Sequence, residues 1–363
     1  QSTVNDIIQD SKGFLWFATD DGLNRYDGYE FTVYKNISGD TTSISDNAIN
    51  KLIEDRNGNI WVATKDGGLN KFNRKTENFK RYQANPSDST SLSDNFVTTL
   101  FEDRSGVILI GTQKGLDIYQ PERDNFIHYQ SEPGNKNSLR GNWITSIYED
   151  HNGILWIGTQ NNGLNRFDRD TGNFSHYKNQ KGNSASLSDN WVVTIYEDHL
   201  NKLWVGTQGG GLNRFSRENQ AFDRFTNDPD NPRSLNHNWV LTMYEDSYGD
   251  LWVGTVDGLS LLDRQKDQFI DVASIKDAPD LENKSISALL GDRSGVFWVG
   301  TKDNALYKFV RSTASFRIYD SNPGNSISLS DENVWAVHED RQGALWIGTN
   351  GGGVNRLNAA RDE

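Results

Sequence analysis

Short runs of mixed apolar and polar residues, four to a unit, set the pattern of this chain. In residues 190–225 the first run is 192–198, where Val192, Ile195 and Tyr196 stand among polar neighbours. A tight turn at 199–202 leads to a second run, 203–207, and a glycine turn at 208–211 to a third, 212–215. Residues 222–225, from Phe222 to Phe225, form a fourth. Runs this short, separated by Gly, Asn and Asp, predict strands in a meander of antiparallel hairpins. One such sheet is too small to bury both of its faces. Stacked copies bury them, and four strands in a period of about 45 residues predict a β-propeller blade.

The unit recurs from end to end. Its tryptophan position falls at Trp16, Trp61, Leu109, Trp156, Trp204, Trp252, Trp298 and Trp346, in steps of 45, 48, 47, 48, 48, 46 and 48 residues. That regularity overrides the expectation of two or more domains for 363 residues. A single all-β propeller domain over 1–363 is expected, with eight blades favoured. Trp204 is expected to fill the space between adjacent blades. Gly206, two residues on, marks a close approach by a neighbour, and Ala18 and Ala63 keep that place small in the first two copies. Asp-x-x-Gly turns at 55–58, 103–106, 150–153, 292–295 and 340–343 are read as structural, the acid bonding the turn backbone. Copies six and seven depart from the plan: the glycine turn shrinks to Asp257-Gly258 and is then replaced by Asp303-Asn304-Ala305. Copy eight ends after its third strand, near Leu357. The alternative is seven blades plus part of a second propeller.

Composition narrows the function. The net charge of -13 argues against nucleic acid or an anionic membrane surface as partner. The absence of cysteine excludes disulfides and thiolate metal sites. No apolar run of about 20 residues is present to insert in a bilayer. Gln1 opens directly on a repeat, so the chain is read as a mature or excised piece.

The phrase Glu-Asp-x-x-Gly-x-Leu-Trp-Ile-Gly-Thr, followed by Gly-Gly-Leu-Asn-Arg-Phe, is carried best by 149–167, 197–215 and 339–355. It closely resembles the two-component regulator propeller repeat, over essentially the whole chain. The resemblance implies the periplasmic sensing part of a membrane-bound bacterial signalling protein, with a histidine kinase (often a hybrid) or a diguanylate cyclase as output. It also implies a ligand of the kind such sensors detect, an oligosaccharide, and homodimerisation within a receptor.

In a propeller, the linker into the innermost strand and the loop between the second and third strands share one face. The residue before the inner strand is Thr3, Ala48, Phe96, Trp143, Trp191, Trp239, Ser285 and Asn333 in copies one to eight. Phe96, Trp143, Trp191 and Trp239 therefore form an aromatic run, with Asn142, Asn190 and Asn238 just ahead of the three tryptophans. Gln113, Gln160 and Gln208 open the neighbouring loop. Aromatic rings stack on apolar sugar faces and amides bond hydroxyls, so these residues are candidates for carbohydrate binding. Arg140 and His237 would favour an acidic ligand. The competing reading has the aromatics packing under the linkers and the asparagines forming turns. The third-strand cations Arg25, Lys71, Arg166, Arg214 and Arg356 recur too regularly to be a site.

Rival functions are a propeller enzyme acting on glycans, sialidase- or lyase-like, and a protein-binding scaffold. The Asp turns resemble sialidase Asp-boxes, but those are structural, and no acidic pair stands outside the repeat for glycoside cleavage. The histidines, at 128, 151, 176, 199, 237 and 338, are scattered, so no metal or other cofactor is expected.

Overall fold

The computed structural model describes residues 4–272, 281, 283–291, 297–302, 305–310, 315–322, 324, 325 and 327–359. These residues form a β-propeller fold of eight antiparallel sheets, seven of four strands and one of three, each in chain order. No helix among them is long and apolar enough to cross a membrane. They group into two compact units, residues 1–159 with 165–175 and residues 160–164 with 176–363. Along the chain the division falls inside the fourth blade.

The fifth blade shows the plan. Its strands are β17 (Val192–Glu197), β18 (Leu203–Thr207), β19 (Leu212–Ser216) and β20 (Ala221–Phe225), within a residue or two of the bounds expected from the sequence. Every residue of β18 is buried. Trp204 is 1% exposed and packs with Leu235, Val240, Met243, Leu251 and Val253 of blade six. A Cβ on Gly206 would stand 2.7 Å from Val240 Cγ1 and 2.8 Å from Thr194 Cγ2. Gly206 is thus required by the close approach of the next blade's inner strand, as the sequence predicted.

A second device was not legible in the sequence. In every inner strand the register slips by one residue near its start, as between Val192 and Thr194 or Val334 and Ala336. Such a bulge re-aims the skipped side chain. Asn5, Asn50 and Ser287, each a skipped residue, clip the next inner strand. Asn5 Nδ2 donates to Ile49 O at 2.8 Å, Asn50 Nδ2 to Val97 O at 2.8 Å, and Ser287 Oγ to Val334 O at 2.5 Å.

The Asp turns are structural. Asp198 Oδ1 accepts from the backbone of Leu200 and Lys202 at 3.0 and 2.8 Å. Its Oδ2 does more than expected, accepting from Trp204 Nε1 at 2.9 Å. The same acid-to-indole bond joins Asp10 to Trp16, Asp55 to Trp61, Asp150 to Trp156, Asp246 to Trp252 and Asp340 to Trp346, at 2.7–3.0 Å. An arginine of the following blade then ties blades together: Arg74 reaches Asp10, Arg169 reaches Asp103 and Arg264 reaches Asp198, at 2.6–2.7 Å. The Asp292 turn and the Asp303-Asn304 pair lie outside the described residues. The third-strand cations are framework too. Arg25, Lys71, Arg214, Lys308 and Arg356 lie over their own blade's tryptophan, 4.8–5.8 Å from the ring centroid.

In blades two to six a buried polar residue on the third strand holds the linker. Asn70, Asn165 and Asn213 accept from the backbone of Ser45, Arg140 and Ser188, each at 2.9 Å. Blade three has Asp117 instead, bonded to Ser93 N at 2.8 Å. Its buried carboxylate also bonds His128 Nδ1 at 2.7 Å. That bond raises the His128 pKa above the usual imidazole value, against the opposing effect of burial. A raised folded-state pKa stabilises the fold fully below about pH 6.5, and the contribution is lost as pH rises through the folded value. We expect the urea midpoint of the wild type to fall over that window and His128→Gln to flatten the fall. An equal slope in the variant would refute this.

Candidate functional site

The aromatic positions head the inner strands as expected, each one residue before the strand begins. One backbone bond, repeated in both units, brings them beside the loop after the second strand. Gln113 N donates to Phe96 O at 3.3 Å, Gln208 N to Trp191 O at 3.0 Å, and Val256 N to Trp239 O at 3.1 Å. Shared placement of linker and loop, inferred from the fold, is thus met within each unit.

In the first unit Phe96 and Trp143 come together, with ring centroids 6.4 Å apart and planes tilted by 59°. Trp143 is 41% exposed. Asp94 caps Phe96 N at 2.7 Å and pairs with Lys114 Nζ at 2.8 Å. Gln113 is half-buried in the same loop. Arg140 takes the place that serine holds in blades two and three, and its backbone, not its guanidinium, bonds Asn165. No acid pairs with that guanidinium among the described residues.

In the second unit Trp239 is 36% exposed and Trp191 half-buried. Among the described residues no ring stacks on either. Gln160 and Gln208 are half-buried. Gln208 Oε1 is buried without a donor, an acceptor left open beside Trp191. His237 occupies the capping place that Asp189 holds in blade five. Its Nδ1 accepts from Trp239 N at 2.9 Å, as Asp189 Oδ1 accepts from Trp191 N at 2.7 Å. In the neutral ring the proton therefore sits on Nε2.

The asparagines have a mainly architectural task. Asn142, Asn190 and Asn238 each accept through Oδ1 from the returning chain, at Ser131 N, Asn179 N and Asn227 N, 2.7–2.9 Å. Their carbonyl oxygens are thereby engaged, while their Nδ2 donors remain, with the aromatics, the glutamines and Arg140, as groups that can meet a ligand. Sequence reasoning missed two residues in the last two blades: Lys302, at the loop place that Gln113 and Gln208 hold, and Trp335, the second residue of the eighth inner strand. The charge mismatch of Lys302 with its preceding blade was readable; the bulge that aims Trp335 was not.

Three kinds of similarity bear on this arrangement. The family model for the two component regulator propeller matches residues 1–21, 43–66, 91–114, 138–161, 186–209, 234–257 and 328–351. A 45-residue stretch is 56% identical to the histidine kinase P4 of Formosa agariphila, covering 12% of this chain and 3% of the kinase. The extracellular domain of a one component system from B. thetaiotaomicron superposes with a TM-score of 0.57 at 23% identity, over 99% of this chain and 47% of that one. The chain thus spans about half the length of that solved domain. Virginiamycin B lyase from Staphylococcus aureus shares the fold at a TM-score of 0.54 and 14% identity, over 98% and 94% of the two chains. The two solved structures speak for the fold alone. The matched segments fall on every blade but the seventh, whose glycine turn is replaced, and the chain belongs to the two component regulator propeller family.

Proposed function

We propose that this chain is the extracytoplasmic, ligand-sensing part of a membrane-bound bacterial signalling protein, and that it binds carbohydrate at the aromatic positions heading the inner strands. The family and the kinase similarity support the signalling reading and favour a histidine kinase as output over a diguanylate cyclase. Periplasmic placement and pairing of two receptor copies follow from the same reading.

One observation carries the carbohydrate reading. The second-strand tryptophans (Trp16, Trp61, Trp156, Trp204, Trp252, Trp298 and Trp346) are 0–3% exposed, whereas Trp143 and Trp239 are 41% and 36% exposed. Packing under a linker would bury them. An exposed indole flanked by open amide groups suits a sugar, whose axial hydrogens stack on the ring while its hydroxyls bond the amides. The propeller acts as a receptor and does no chemistry on the sugar. Among the described residues no group of three His, Asp or Glu is placed to hold a metal.

Thermal stabilisation of the purified chain by members of a neutral and acidic oligosaccharide panel tests this. Trp239→Ala and Trp143→Ala are each expected to weaken binding of an active oligosaccharide roughly tenfold or more, with the β-sheet circular dichroism unchanged. Undiminished binding in both variants would sink the site. Release of reducing sugar would make the chain an enzyme instead.

A further inference from the structure

Lys302 follows the second strand of blade seven, β26 (Phe297–Thr301). Lys65 holds the same place in blade two, and the same backbone bond fixes both: Lys302 N to Ser285 O at 2.9 Å and Lys65 N to Ala48 O at 2.8 Å. Lys65 has a counter-ion, Asp20, which occupies that place in the preceding blade and lies 2.9 Å away. The blade before Lys302 has Val256 there. Among the described residues no carboxylate pairs with Lys302.

The Lys302 ammonium lies instead over the ring of Trp335, with Nζ 5.0 Å from the centroid. Trp335 is the residue skipped by the inner-strand bulge of blade eight, between Val334 and Ala336. It stands where Asn5, Asn50 and Ser287 bond a neighbouring carbonyl. An indole has a donor and no acceptor, and Trp335 Nε1 is buried without a partner. Burial also pushes the Lys302 ammonium below the ordinary lysine range. A charged donor and a neutral donor, both unpaired, therefore converge at one end of the inner strands. A buried unpaired donor costs about 1–3 kcal/mol, and a cation without an anion forgoes a charge-assisted bond. A ligand carrying acceptor oxygens and negative charge removes both deficits.

We propose that Lys302 and Trp335 form a subsite for a carboxylate group of the ligand. The ammonium meets one carboxylate oxygen. The flexible lysine stem swings from the ring as it does so, opening the indole N–H to the other. The inference rests on reading this end of the inner strands as the ligand face, but not on the carrier being a sugar.

The test is titration of the 363-residue chain, labelled with 15N at its tryptophans, with sodium glucuronate, sodium acetate and glucose. Trp335→Phe, which keeps the ring face and removes the N–H, identifies the Trp335 indole signal. Glucuronate is expected to move that signal saturably, glucose to leave it in place, and Lys302→Gln to weaken the response roughly tenfold. Lys302→Arg should retain most of it. If acetate binds as well as glucuronate, the carboxylate subsite stands while its sugar carrier fails. A signal that neither anion moves, or that moves equally in Lys302→Gln, overturns the proposal.

Discussion

Replacing Trp204 by alanine is expected to lower the unfolding free energy by about 3–5 kcal/mol, the range for emptying a large buried aromatic site. The indole is 1% exposed and shares a buried cluster with seven residues of the following blade. Its removal opens a cavity between two layers that are each held by such contacts. It also takes the cation of Arg214, 5.6 Å over the ring, off its support, and frees one lone pair of Asp198. Trp204→Phe should cost less, since it keeps most of the volume and loses only the indole N–H bond. Blade three shows what a smaller residue requires. Leu109 stands there without an indole, and Phe101, Ile118 and Tyr129 close in on its cluster. Around Trp204 the corresponding places are held by Tyr196, Phe225 and, where Ile118 stands in blade three, the cation Arg214, so a leucine there should not be neutral. Urea unfolding followed by far-ultraviolet circular dichroism measures the loss. A shift of less than about 1 kcal/mol would mean that the blades are held chiefly by their backbone clips. Trp239→Ala is the contrasting variant. Its indole is more than a third exposed, so its stability change should stay small while ligand binding suffers.

These two tryptophans show what the sequence could and could not disclose. Trp204 lies in a phrase repeated at nearly constant spacing, and spacing is enough to predict a blade, a buried seam and the small residue at Gly206. Strand ends at Thr207 and Leu357 fall where the pattern of runs stops. Trp239 lies outside the phrase, and its exposure depends on how the linker is pinned. That pinning is done by buried third-strand residues such as Asn213 and by the serine three residues before the cap, Ser186 or Ser234. Each of these looks like an ordinary polar residue in an alternating strand. The second oxygen of each turn aspartate was invisible for a related reason: its partner, the indole six residues on, is brought to it by the hairpin and not by sequence adjacency. The bulge that aims Trp335 shifts the register by one residue without changing composition. Arg140 and His237 were singled out together as groups that would favour an acidic ligand, but only geometry separates them. His237 is used as a cap in place of aspartate, whereas the Arg140 guanidinium is not tied into the fold.

Asp198→Ala is expected to cost about 3–5 kcal/mol, the range for stripping one partner from a buried ion pair. The carboxylate is fully buried and accepts four bonds: two from the turn backbone, one from Trp204 Nε1 and one from Arg264 Nη1 at 2.7 Å. Those donors match its acceptor capacity. Alanine leaves all four unpaired at the seam between blades five and six. Asparagine is no remedy, because its NH2 would face either the two backbone donors or the indole and guanidinium donors. Asp198→Asn should therefore destabilise nearly as much, which distinguishes loss of acceptor capacity from loss of volume. Burial resists ionisation here, but the bonds from Trp204 and Arg264 outweigh it and hold the pKa below the usual carboxylate value. Asp103 is lowered in the same way by its turn and by Arg169. A depressed folded-state pKa stabilises the protein above the unfolded value of about 3.9 and is lost as pH falls through the lower folded value. Wild-type stability should accordingly drop on acidification below about pH 4. In Asp198→Asn the drop should be shallower, starting from a lower plateau. If the variant instead follows the wild-type acid profile with the same slope, Asp198 is not a seat of that loss, and the inter-blade arginine contributes packing rather than charge.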